Sequence, residues 1–131
     1  MDYFKDFETW NTVKQRINKD EHSISIRAGE IRWVAIGVNI GSEIDGKGVS
    51  FTRPALIINV SGSSFALIVP MSTKVKDKAG YHQITWKNRQ VALCIHQTRV
   101  VSQKRIFSRL GKLSNTKLLE YKNEITKFFD L

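Results

Sequence analysis

The groups in this chain best suited to gripping a phosphodiester come in order along its middle: Arg53 before Pro54, the hydroxyl pair Ser72 and Thr73, then His96 and Arg99. Proline fixes its own φ and pushes the residue before it into an extended conformation, so Arg53 is expected to point a permanent cation out at the mouth of a strand. Ser72-Thr73 follows Val69-Pro70-Met71 at the end of another apolar run. RNA carries its own nucleophile, the 2′-hydroxyl. A protein that cuts RNA without a metal therefore needs only donors and cations around the phosphate, plus a proton acceptor and a proton donor. Arg, Ser/Thr, His and backbone N–H supply these. Metal-dependent hydrolysis needs clustered carboxylates, and between residues 53 and 112 there is one acid, Asp77. His22, His82 and His96 lack metal-ligand spacing, and neither a Walker loop nor a dinucleotide fingerprint is present. No metal or other cofactor is expected.

Charge is distributed in the same sense. The chain has 21 basic and 12 acidic side chains, formally +9. Residues 1–52 hold seven basic and eight acidic groups, and residues 113–131 hold three of each. Residues 53–112 hold eleven basic groups against the single Asp77, so the whole excess sits on one segment. That concentration is the electrostatic footprint of a polyphosphate binder. Lys74, Lys76 and Lys78, two apart on one face of an extended segment, are expected with Arg89 to follow an RNA backbone.

These groups need a scaffold, and 131 residues with 41% apolar content suffice for one domain with a real core. No stretch approaches the roughly 20 apolar residues of a membrane span. The acidic start MDYFKDFETW does not read as a signal peptide, and lone Cys94 can form neither an internal disulfide nor a cysteine zinc site. A cytoplasmic location with no membrane contact is the expectation. Residues 1–19 read as an amphipathic helix with Tyr3, Phe7, Trp10 and Ile17 on one stripe. Strands are predicted at 31–37, 55–60, 65–69, 82–86, 91–95 and 98–101, with a glycine-rich loop at 38–52 and a hairpin turn at Ser61–Ser64. Ser114 is placed to cap a last helix carrying Leu118, Tyr121, Ile125, Phe128 and Phe129. Short, closely spaced strands between two helices point to a small curled antiparallel sheet or partly open barrel.

Residues 29–112 resemble the MazF/PemK-like toxins, the ribonuclease half of bacterial toxin–antitoxin modules. Gly29-Glu30-Ile31-Arg32-Trp33-Val34-Ala35-Ile36-Gly37 is similar to the family's opening strand. Gly41-Ser42-Glu43 and Arg53-Pro54-Ala55-Leu56-Ile57 resemble its G-x-E … R-P-x-L-I signature. Val69-Pro70-Met71-Ser72-Thr73-Lys74 is similar to its V-P-I-T-S/T element, and Gln97-Thr98-Arg99 to its Q-x-R. The resemblance implies a mainly β, SH3-like small barrel over 29–112, with a helical extension at 1–28 and a C-terminal helix at 113–131. It also implies a homodimer, metal-independent cleavage of single-stranded RNA at short sequences, and a cognate acidic antitoxin that blocks the RNA groove.

On that resemblance Arg53 would hold and neutralise the scissile phosphate and assist proton transfer. The Ser72 hydroxyl would donate to the phosphate, with Thr73 one step on. His96 and Arg99 would support or exchange protons, and Glu43 with the 38–52 loop would gate entry. The chain departs from the family where Ser72 replaces the usual threonine, where His96 stands in place of an acid before the glutamine, and where Cys94 stands in place of an arginine. Two readings for His96 stay open: a general acid/base or a half-buried strand histidine. Two rival functions stay open as well, a non-catalytic inhibitor like the gyrase poison CcdB and an RNA-binding barrel whose catalysis has lapsed.

Overall fold

The computed structural model describes residues 3–131. Helix α1 (Phe7–Lys19) starts where Asp6 accepts a hydrogen bond from the Thr9 N–H, satisfying one of the free donors of the first turn. It is shorter than the helix expected over 1–19, of which residues 1–2 lie outside the described ones. The expected stripe is corrected too: Trp10 alone of α1 is fully buried, Phe7 is 50% exposed, and Tyr3 lies before the helix at 68%. Seven strands follow: β1 (Glu30–Ala35), β2 (Thr52–Ser61), β3 (Phe65–Ser72), β4 (Tyr81–Trp86), β5 (Arg89–Cys94), β6 (Arg99–Ser102) and β7 (Ile106–Lys112). Helix α2 (Asn115–Phe129) closes the chain, capped by the Ser114 hydroxyl as expected.

The sheet runs β4-β5-β3-β2-β1-β7, antiparallel throughout, with β6 paired to the first half of β3 while β5 pairs with its last two residues. Exchanging partners along β3 curls the sheet. β2 begins at Thr52, so Arg53 and Pro54 lie inside the strand and Pro54 is not its first residue. Pairing with β3 starts only at Ala55, opposite Pro70, which leaves Pro54 on a locally open edge where its missing N–H costs the sheet nothing. β7 escaped the sequence reading. Only Ile106 is fully buried along it, and its pairing with β1 slips twice, so it carries no clean alternation.

Ile31, Leu56, Ile58, Val69, Met71 and Leu93 form one core face, closed by Leu118, Tyr121 and Ile125 of α2. Val34, Ile36, Ala55, Ile57, Ile68 and Ile106 form the second. Trp10 packs α1 on Ala35 and Val38 in a third cluster. That packing requires glycine at 37, since a β-carbon there would lie 2.3 Å from the indole. Burial of seventeen Ile, Leu and Val side chains, at about 1.5–3 kcal/mol each, dominates the stabilisation. Among the described residues no helix is long and apolar enough to cross a membrane.

Candidate functional site

Where the open ends of β2 and β3 meet, a cavity of about 550 Å³ is lined by Arg53, Ser72, Thr73 and Arg89, together with Lys47 and Lys87. Arg53 is half-buried, and its Nε donates to the Asp45 carbonyl. Burial pulls its pKa down from the usual arginine value, opposed by the nearby Cys94, Asp45, Tyr3 and Tyr81. Among the described residues this is the one hydrogen bond that the side chain makes, so the two Nη groups of this cavity-lining residue keep their donors. Ser72 ends β3, and its Oγ accepts from the Lys74 N–H at 3.1 Å. This fixes the oxygen and leaves its own hydrogen to donate. Ser72 and Thr73 both line the cavity because the strand stops between them, so the opposite-face rule for extended residues ceases to apply there.

The loop behind Arg53 is built by contacts that the sequence reading missed. Asp45 is buried; its Oδ1 accepts from the Asn39 N–H at 2.6 Å and its Oδ2 pairs with Lys5 Nζ at 3.2 Å. Lys5 also donates to the carbonyls of Asn39 and Gly41, at 2.6 and 2.9 Å. The extension thus holds the loop that holds Arg53. Gly46 is required where its backbone meets the Phe51 carbonyl, with 1.8 Å to any added β-carbon. Lys47, on the rim, has its pKa lowered, first by the Arg53 charge, then by burial and by Lys74.

Arg53, Ser72 and His96, expected together, do not all line one cavity. His96 lies in a 3-10 turn (Ile95–Gln97), not in a strand, and lines a second cavity of about 440 Å³ with Glu43 and Arg99. Its Nδ1 is buried with no hydrogen-bond partner among the described residues, beneath Gly80 and 4.8 Å, centroid to centroid, from the Tyr81 ring. Gln97 ties the turn to the loop, accepting from the Ile44 N–H at 3.1 Å and donating to the Ser42 carbonyl at 3.2 Å. Glu43 accepts from the Ile40 N–H at 2.9 Å, closing the loop on itself. Cys94 is fully buried, and burial pushes its thiol up to about 11 despite Arg53 and Lys76 nearby.

The lysines do not form the expected ladder, because residues 73–80 are irregular rather than extended. Lys74 lies within electrostatic reach of Lys47, Lys76 sits 5.6 Å from the centroid of the Tyr81 ring, and Lys78 faces a separate hollow beside Glu124 and Phe128 of α2. Arg89 alone of the four expected backbone-tracking cations lines the main cavity. The aromatic part of that cavity, Trp33 and Trp86, was also missed; the signal was one tryptophan 20 residues before the basic segment opens at Arg53 and another inside it, directly before Lys87. The described residues bring no group of three His, Cys, Asp or Glu side chains together that could hold a metal ion.

No curated protein sequence matches the chain. Among solved structures it is similar to the Mycobacterium tuberculosis toxin MazF-mt6, at 16% identity and a TM-score of 0.58 over 78% of this chain and 97% of that one. It is also similar to MazF from Deinococcus radiodurans, at 15% identity and a TM-score of 0.64 over 85% of this chain and all of the other. These likenesses carry the fold, a small MazF-type barrel. The sequence profile described as PemK-like, MazF-like toxin of type II toxin-antitoxin system matches residues 27–129, from the approach to β1 to the end of α2. The chain belongs to the PemK-like, MazF-like toxins of type II toxin–antitoxin systems.

Proposed function

We propose that this toxin is an endoribonuclease that cuts single-stranded RNA without a metal, by attack of a 2′-hydroxyl on the adjacent phosphodiester. The observation that carries the reading is a cationic cavity lined by both Arg53, whose Nη groups keep their donors, and Ser72, with no carboxylate among the described residues of its walls. Arg53 binds the two non-bridging oxygens and stabilises the charge that builds on them in the transition state. Ser72 donates to one of those oxygens, and Thr73 and Arg89 hold the flanking backbone. The 2′-oxygen bonds to phosphorus, the bond to the 5′-oxygen breaks, and a 2′,3′-cyclic phosphate remains. The 2′-hydroxyl gives up a proton and the 5′-oxygen gains one. Arg53 stays cationic throughout; a water molecule takes the 2′ proton, and the Lys47 ammonium on the cavity wall is the group assigned to protonate the leaving 5′-oxygen. His96 and Arg99 act from the neighbouring cavity, on the path of the RNA past the loop that carries Glu43.

The same reading includes a homodimer and an acidic antitoxin segment that competes with RNA for the basic cavity. A specific observation favours a second reading, an RNA-binding barrel with lapsed catalysis: the described residues of the cavity include neither an imidazole nor a carboxylate, and Cys94 and His96 replace the family's charged groups. Incubating the protein with single-stranded RNA in excess EDTA distinguishes the two. Cleavage leaving 2′,3′-cyclic phosphate ends is expected; strict dependence on Mg²⁺, or binding without cutting, would overturn the proposed reaction.

A further inference from the structure

The main cavity has two kinds of wall. Its rim is cationic, whereas Pro54, Met71, Val91 and Leu110 give it an apolar floor between the indoles of Trp33 and Trp86. A groove that only gripped phosphates would need no such floor, because phosphates and sugars offer nothing to bury there. Bases do. Trp33 stands on β1 between Arg32 and Val34, which are both buried, so the strand alternation turns its indole to the other side, where it is 37% exposed. Its cross-strand partner is Pro54, the neighbour of Arg53. Trp86 is held more firmly. The Lys87 ammonium lies 4.8 Å from its ring centroid and is itself tied to the Leu110 carbonyl at 2.7 Å. Gly111 leaves room for the indole, since a β-carbon there would come within 3.3 Å of it. The result is one open indole and one ordered indole lining the same cavity as the phosphate-binding groups.

We propose that this floor is a nucleobase subsite in which Trp33 is the stacking platform and Trp86 the wall, so that Trp33 determines which unpaired base lies next to the phosphate at Arg53. Stacking on an aromatic side chain is worth enough per base to decide occupancy, and any base has a face to offer. The cavity falls within the several hundred Å³ of ordinary ligand pockets. Discrimination between bases then comes from the shape of the gap that Trp86 and Leu110 leave. This subsite deepens the proposed RNA-cleaving reading and rests on it.

The test uses short single-stranded oligonucleotides with 2′-deoxy sugars, which bind but cannot be cut, each carrying one abasic position in turn. Trp33→Ala is expected to weaken binding of the intact oligonucleotide roughly 10-fold, while Trp33→Phe retains most of the affinity. At one abasic position the wild type should lose about the same factor, and Trp33→Ala should add no further loss there. Tryptophan emission should be quenched on saturation in the wild type and quenched less in Trp33→Ala, where Trp86 still lines the cavity and Trp10, buried between α1 and β1, does not. Wild-type affinity in Trp33→Ala, or additive losses at every abasic position, would overturn the subsite. Since these measurements need no cleavage, coupling without catalysis would sink the nuclease reading alone, and catalysis without coupling would sink the subsite alone.

Discussion

Two arginines 21 positions apart show how one side chain serves two ends in this fold. Arg32, on β1, is 6% exposed and every part of its guanidinium is engaged: Nε with Glu30 at 3.0 Å, one Nη with the Phe107 carbonyl and the other with the Ser25 carbonyl, both at 2.9 Å. Glu30 also accepts from the Arg27 N–H and pairs with Arg109 at 3.5 Å. Each of its three nitrogens is engaged inside the fold. Arg53, on the next strand and paired to Val34, has one hydrogen bond to a carbonyl among the described residues and opens into a cavity. A saturated guanidinium fixes the register of β1 against β7 where that pairing slips. A guanidinium with spare donors in a cationic cavity is costly to the fold and is useful only when an anion arrives. The number of free donors, more than burial or charge, separates structure from function here.

If Arg32 is structural, its loss should be felt by the fold first. Arg32→Met leaves Glu30 buried without its main partner, and removing one member of a buried pair typically costs about 3–5 kcal/mol. Urea unfolding should show that loss, with RNA cleavage per folded molecule unchanged; a loss under 1 kcal/mol would make Arg32 as dispensable as a surface ion pair, whose worth is about 0–1 kcal/mol.

The same network gives the protein an acid limit. Burial alone would raise the Glu30 pKa, but the hydrogen bonds from Arg32 and the Arg27 N–H, with the charges of Arg32 and Arg109, together bring it below the ordinary 4.5. A depressed carboxyl contributes stability that is complete above its unfolded value and lost as pH falls through the folded one. Unfolding free energy should therefore decline as pH drops below 4.5, and Glu30→Gln should flatten that decline. An identical acid profile in both proteins would remove Glu30 from the account.

A smaller effect separates the cations of the cavity from those outside it. Arg89→Gln should reduce the log–log salt dependence of RNA binding by about 0.7, one phosphate contact on a single strand. Lys78→Gln, in the hollow beside Glu124, should leave it unchanged. Equal changes would mean that the RNA path runs over both faces. The smallest signal is chemical: with its thiol fully buried and pushed up to about 11, Cys94 should resist alkylation at pH 8 until the protein unfolds. Rapid labelling of the folded protein would show that this core is open.

The sequence disclosed more of the fold than of the site, for physical reasons. Strand periodicity and the Ser61–Ser64 turn are local signals, and six of seven strands followed from them. β7 was lost because a strand that slips twice against its partner need not alternate. The R-P pair and the Ser72-Thr73 pair were legible because proline, an arginine and hydroxyls at strand ends act through their immediate neighbours. What was not legible depends on contacts across long stretches of chain: Lys5 reaching Asp45 behind Arg53, Trp33 sharing a cavity with Trp86, and the turn after Cys94 that sends His96 to a different cavity from Arg53. A half-buried strand position was one of the two open readings of His96; a 3-10 turn stands there instead.

The central claim is that Arg53 serves the RNA and not the fold, and the most direct measurement is single-turnover cleavage of single-stranded RNA in EDTA by Arg53→Ala beside its urea unfolding curve. The account predicts a rate lower by about 100-fold or more, the scale of removing one transition-state donor, with a stability change small beside that of Arg32→Met. A wild-type rate in Arg53→Ala, or a rate loss that only follows the fraction unfolded, would contradict it.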